Sequence, residues 1–171
     1  EVLFGRLPSS GSRPVDRERR MKASIRQMIV VLGDQLDRNS PVLQGFDPEQ
    51  DVAFMAEVPG ESTKVWSSKP RTAFFLSAMR HFAADLRESG CRVDYQRLGT
   101  HPHDSFGEAL SAAIRRHQPT RVMMTEAGEW GIGREIQQAC EKAGVILDVR
   151  DDPHFLITRD EFAEWASGYK Q

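Results

Sequence analysis

The chain lacks most of what would announce a function directly. It holds two cysteines, Cys91 and Cys140, and no C-x-x-C pair. That excludes a disulfide framework and a thiolate-built redox centre, leaving two small, half-buried thiols in a reducing compartment. No apolar run approaches the ~20 residues needed to cross a bilayer, and no apolar h-region lies near the N-terminus. The expected location is therefore the cytoplasm, with no membrane partner. G-x-G-x-x-G is missing after the first apolar run, and neither a phosphate-loop sequence nor a G-x-S-x-G elbow occurs anywhere. The usual dinucleotide, triphosphate and hydrolase readings are poor for that reason. Excess positive charge is missing too: 23 Lys and Arg stand against 25 Asp and Glu, a net −2. Direct nucleic-acid binding by this chain is not expected, because phosphate contacts need a basic surface.

What remains is the composition of an ordinary globular protein, 171 residues with 39% hydrophobic and 28% charged, enough for one domain with a real core. The organising stretch is Met28-Ile29-Val30-Val31-Leu32-Gly33-Asp34-Gln35-Leu36. Five apolar residues, three of them β-branched, run unbroken and stop at glycine. This is the pattern of a strand buried on both faces, found in parallel sheets covered by helices. In such sheets ligands bind beyond the carboxyl ends of the strands, where Gly33, Asp34 and Gln35 would lie. The plain alternative is that Gly33-Asp34 only closes a strand.

Residues 1–24 mix Pro, Ser and Gly with Arg and acids and show no apolar period. They are expected to be a disordered arm or an upstream extension, with Met21 a plausible native start. From residue 25 onward, strands and helices alternate. Ser40-Pro41 predicts a short helix, and Val52-Ala53-Phe54-Met55-Ala56 a second buried strand that ends at Glu57. The loop 58–71 carries Glu61, Lys64, Trp66 and Arg71, with Trp66 either a stacking plate or a lid over the core. Thr72 to Ser89 is the best helix, with a stripe of Phe75, Met79, Phe82 and Leu86. His81 and Asp85 on its polar face read as a surface pair. Residues 92–98 alternate as an edge strand does. His101-Pro102-His103-Asp104 reads as a polar loop in which Asp104 caps the next helix.

A helix over 105–117, a strand over 120–126, a helix over 130–142, a strand over 145–149 and a short helix capped by Asp160 complete the pattern. Five strands separated mostly by helices predict an α/β fold: a five-stranded parallel, Rossmann-like three-layer sandwich with strand order 3-2-1-4-5. The crevice where the order reverses would be lined by Gly33-Asp34 and Glu126-Ala127-Gly128. Asp34, Glu57, Glu61, Glu126 and Glu129 are expected to converge there, repelling a phosphate-rich ligand and hydrogen-bonding an uncharged polyol or heteroaromatic ring.

Five motifs then occur in one order: Leu32 to Leu36 (LGDQL), Leu76 to Ala83 (LSAMRHFA), Thr125 to Trp130 (TEAGEW), Asp148 to Leu156 (DVRDDPHFL) and Glu161 to Gly168 (EFAEWASG). Together they resemble the N-terminal domain of the deoxyribodipyrimidine photolyase-related family, the bacterial cryptochrome/(6-4) photolyase group with an iron–sulfur cluster. The resemblance covers roughly residues 27–170. It implies an α/β domain over 25–171 that holds an antenna chromophore, 6,7-dimethyl-8-ribityllumazine, and passes excitation to FAD in a C-terminal helical domain. FAD, the 4Fe-4S cluster and the DNA lesion pocket would belong to that domain, which this chain does not include, so the chain alone is not expected to be catalytic. Carried over by position, the chromophore-binding candidates are Gly33, Asp34, Gln35, Glu57, Glu61 and Phe75, with Phe75 packing on the ring. The alternative expectation is a chromophore-free α/β domain acting as an interaction or self-association module.

Overall fold

Why these segments pair is visible in their burial. In the computed structural model, which describes residues 25–60 and 68–169, the centre of the molecule is β1 (Gln27–Val30), with all four residues buried. It lies parallel to β2 (Asp51–Ala56) on one side and to β4 (Arg121–Thr125) on the other, with Gln27 opposite both Asp51 and Arg121. β3 (Val93–Gln96) continues the sheet beyond β2, and β5 (Ile146–Arg150) beyond β4. The order is β3-β2-β1-β4-β5, all parallel, as the alternation of elements predicts.

Successive side chains of the central strands feed two cores. Met28, Val30, Leu32, Val52, Phe54, Ala56, Val122 and Met124 face α2 (Phe106–His117) and α3 (Trp130–Ala143). Ile29, Val31, Ala53, Met55 and Met123 face α1 (Lys69–Glu88) and the segment carrying Val42. Each fully buried aliphatic or aromatic side chain contributes about 1.5–3 kcal/mol, so the middle of the sheet is the firm base on which the strand exits are mounted. The helix faces also follow the spacing: α2 buries Phe106, Ala109, Leu110, Ala113 and Ile114, and α3 buries Ile132, Ile136, Ala139 and Cys140. The last helix, α4 (Arg159–Ser167), buries no residue at all.

Four local expectations need correction. Residues 41–45 form turns, not a helix. The Ser40 hydroxyl is buried against Thr125 Oγ1 at 3.0 Å, so it does not cap, and the backbone closes four-residue turns from Leu43 to Ser40 and from Phe46 to Leu43. Ser105, not Asp104, caps α2, its side chain accepting from Glu108 N. Thr158, not Asp160, caps α4 in a reciprocal box with Glu161. Asp85 pairs with Arg38 at 2.6 Å, a surface contact across elements in place of the expected one with His81.

Candidate functional site

The sheet reverses its order between β1 and β4, and the two exits meet there. Gln35 Nε2 donates to the carbonyl of Glu126 at 2.6 Å, which braces one exit against the other. Asp34 is exposed, and its Oδ2 lies 3.4 Å from where a Cβ on Gly128 would stand. Beside this junction is a cleft of about 290 Å³ lined by Leu32, Gly33, Asp34, Arg71, Phe75, Glu129 and Ile132. Its floor is backbone at Gly33. Its polar groups are two carboxylates and one guanidinium, from Asp34, Glu129 and Arg71. A cleft of this size is at the small end for ligand sites, and its lining offers acceptors and a donor around a backbone floor flanked by Leu32 and Ile132.

The roof comes from the start of α1. None of residues 68–75 is buried, and the buried stripe begins only at Met79. Phe75 reaches down from this overhang. Its Cε1 and Cζ lie 2.6 Å from the position a Cβ on Gly33 would take, and Met79 Sδ lies 2.9 Å from it. Gly33 does not have a positive φ, so what favours glycine here is the close approach of these side-chain ends and not backbone conformation.

Of the six residues singled out from the sequence, the cleft brings together Gly33, Asp34 and Phe75, with Gln35 supporting it through Glu126. Glu61 lies outside the described residues, as do Lys64 and Trp66. Glu57 is placed elsewhere. It is 2% exposed and accepts hydrogen bonds from Arg80 Nε and a terminal Arg80 nitrogen, both at 2.8 Å, from the Tyr95 hydroxyl, and from Leu98 N at 3.0 Å. Burial works to raise its pKa, but these donors overcome it and hold the carboxyl down at about 2. Burial and the adjacent carboxylate push the Tyr95 hydroxyl well above its ordinary value. The expected convergence of carboxylates is therefore narrower: Asp34 and Glu129 line the cleft, Glu126 pairs with Arg159 at 2.7 Å, and Glu57 is taken up inside the protein.

Sequence reasoning missed Arg80 as the partner of Glu57. The available signal was its place at the border of the α1 stripe, one residue after Met79. It also missed a second, more apolar hollow of about 540 Å³ beyond β4, walled by Trp130, Phe155, Ile157 and Phe162 with the Glu126–Arg159 pair at its edge. Its apolar walls stand out on the surface: Trp130 is 68% exposed and Phe155 65%. Among the described residues, no group of His, Cys, Asp or Glu is arranged to hold a metal ion. Cys140, on the buried face of α3, packs in one core, and Cys91 packs on the opposite core. Burial pushes the Cys140 thiol up to about 11, so it is inert. Among the described residues, no helix is long and apolar enough to cross a membrane.

Comparison with known proteins adds two findings. The family model described as deoxyribodipyrimidine photo-lyase-related protein matches residues 29–171. The chain is also 39% identical, over 145 residues, to a (6-4) photolyase of Agrobacterium fabrum (strain C58 / ATCC 33970). The match covers 84% of this chain and 29% of that relative, so the chain spans under a third of the relative's length.

Proposed function

Because the chain belongs to the deoxyribodipyrimidine photo-lyase-related protein family, we propose that it is the light-harvesting α/β part of a photolyase-like flavoprotein, and that the β1–β4 cleft holds the antenna chromophore 6,7-dimethyl-8-ribityllumazine. The observation that carries this reading is the cleft itself: a glycine floor at the switch point, rimmed by Asp34, Glu129 and Arg71. The backbone at Gly33 offers a flat, close surface to a ring. Asp34 and Glu129 accept hydrogen bonds from the hydroxyls of a ribityl chain, and Arg71 donates to ring carbonyls. Those roles are binding and orientation. When bound, the chromophore supplies absorption of near-ultraviolet or blue light, and its excitation passes to a flavin held by another domain. An iron–sulfur cluster does not suit this chain, because such a cluster takes four thiolates and the two cysteines lie in separate cores; FAD is assigned to the same partner domain as the cluster. The proposed partner for that chemistry is a C-terminal helical domain, with DNA contacted there and not by this chain. Cytoplasmic location belongs to the same reading. Titration of the chain with the lumazine, followed by absorbance and fluorescence, tests it. Saturable binding that weakens in Asp34→Ala supports the antenna role, and no binding by a folded chain removes it.

A second reading has its own observation. α4 buries nothing, yet Phe162, Trp165 and Tyr169 are each more than half exposed, and they contact one another at ring-centroid distances of 5.7 and 4.8 Å. A nine-residue helix with no buried face has little intrinsic stability in water. On this reading the domain works as an interaction or self-association module with α4 at the contact. A sedimentation run giving a clean monomer over a wide concentration range would count against self-association.

A further inference from the structure

We infer that Phe75 decides what the β1–β4 cleft admits: its ring fills the slot above Gly33 that the flat part of a ligand would take, and a ligand enters by displacing it. The inference rests on the reading that this cleft takes a ring-bearing ligand, and it adds the residue that controls access.

Three observations meet at Phe75. The first is the fit of ring to floor. Two ring carbons lie 2.6 Å from the place of a Gly33 Cβ, beside Met79 Sδ at 2.9 Å, so the space above the glycine already carries the tip of an aromatic ring from the same chain. The second is exposure. Phe75 is 38% exposed, whereas Met79 and Phe82 on the same stripe are 2% and 7%. The ring is thus only part-way into the protein, and its withdrawal loses less burial than a core phenylalanine would. The third is the support behind it. Residues 68–75 contain no buried side chain, so the two turns that carry the ring belong to the part of α1 that opens at low cost. Met79, buried one turn later, stays as the fixed end. A rigid floor, a ring seated on it and a weakly held overhang are the parts of a plug.

The cleft measures about 290 Å³ with the ring in place. Removing the ring joins its volume to the cleft and brings it into the range of ordinary ligand sites. The polar rim of Asp34, Arg71 and Glu129 is untouched by that change, so the enlarged cleft keeps its hydrogen-bonding groups. A binding energy reduced by the displacement of Phe75 is the usual penalty of a site whose competent state is only partly populated.

The test uses two probes on the full 171-residue chain: 6,7-dimethyl-8-ribityllumazine, and quinoxaline, a bare bicyclic ring without the polyol. Affinities are measured by fluorescence and calorimetry for the wild type, Phe75→Ala, Phe75→Leu and the double variant Gly33→Ala/Phe75→Ala, with circular dichroism confirming each fold. The expected result is at least tenfold tighter binding of both probes by Phe75→Ala, a smaller gain for Phe75→Leu, and loss of the gain in the double variant, whose added methyl refills the floor. Lumazine bound by the wild type, and no more tightly by either Phe75 variant, overturns the plug and leaves the pigment reading standing. Quinoxaline binding tightened by Phe75→Ala, with lumazine bound by no variant, keeps the plug and overturns the pigment. Neither probe binding any folded variant overturns both.

Discussion

Arg80 grips Glu57 through two hydrogen bonds of 2.8 Å, with the Glu57 side chain wholly buried and the Arg80 side chain 45% exposed. The pair ties the exit of β2 to the middle of α1, just beyond the overhang that carries Phe75. A buried carboxylate stripped of its cation is costly, typically about 3–5 kcal/mol. Because Tyr95 and Leu98 N still donate to Glu57, Arg80→Ala should lose about 2–4 kcal/mol in urea unfolding. Arg80→Lys keeps the charge but not the planar fork, and should fall between the two.

Acid should destabilise the fold through the same carboxylate. Glu57 has an ordinary pKa of 4.5 and a folded value of about 2, so the folded state binds fewer protons in that interval. The stabilisation is complete above 4.5 and disappears as pH falls toward 2. The loss should be about 2–3 kcal/mol. Asp51, held below its ordinary value against burial by Arg26, Asp47 N and Gln27, and Asp94, held down against burial by His117 and Arg116, add to the same limb. Urea midpoints should hold from pH 6 to about 4.5 and then fall toward pH 2, and Glu57→Gln should flatten that fall.

Gly33 and Phe75 should couple in stability even with no ligand present. Gly33→Ala pushes a methyl against the ring, and because the ring gives way at low cost the change should cost only about 1 kcal/mol, the low end of overpacking. In a Phe75→Ala background most of that cost should vanish, leaving a remainder from Met79 Sδ, 2.9 Å from the added carbon. A double-mutant cycle reads the coupling directly. Additive costs would mean that the ring does not sit on the glycine.

The buried hydroxyls of Ser40 and Thr125, 3.0 Å apart, should behave as a unit. Ser40→Ala leaves Thr125 without its partner and should cost about 1–2 kcal/mol, whereas Ser40→Ala with Thr125→Val should cost less than the two single changes added. Thermal unfolding of the four proteins checks this.

On the exposed side, Trp165→Glu should change unfolding free energy by less than about 0.5 kcal/mol, since α4 buries nothing. The same change should lower binding of a hydrophobic dye and, where the chain self-associates, shift sedimentation toward monomer.

The fold was legible because its signals repeat. Unbroken apolar runs at 28–32 and 52–56, short and bounded by turn residues, point to doubly covered strands, and the segments over 105–117 and 130–142 are the helices α2 and α3 with buried faces at helical spacing. The site was legible in part, because the rule that ligands bind at strand exits locates Gly33 and Asp34 without coordinates. What the sequence hid depends on three-dimensional choice. Glu57 also stands at a strand exit, yet it turns inward because Arg80 and Tyr95 arrive from α1 and β3 to meet it. Phe75 has the spacing of a core residue but sits above the point where α1 comes down on the sheet. Caps slipped by one or two positions because Asp104-Ser105 and Thr158–Asp160 each offer competing oxygens.

The parallel sheet also imposes an order of assembly. β1 is made first, yet one of its two edges waits for β4, whose Arg121 lies 94 residues from Gln27. Until the ribosome has delivered that strand, the most water-averse segment of the nascent chain keeps one side of its backbone unpaired, a template for pairing with the wrong neighbour. Fragments that stop short of β4 should accumulate as aggregates in the cell, and a chaperone that shields this open edge during translation should raise the yield of folded protein.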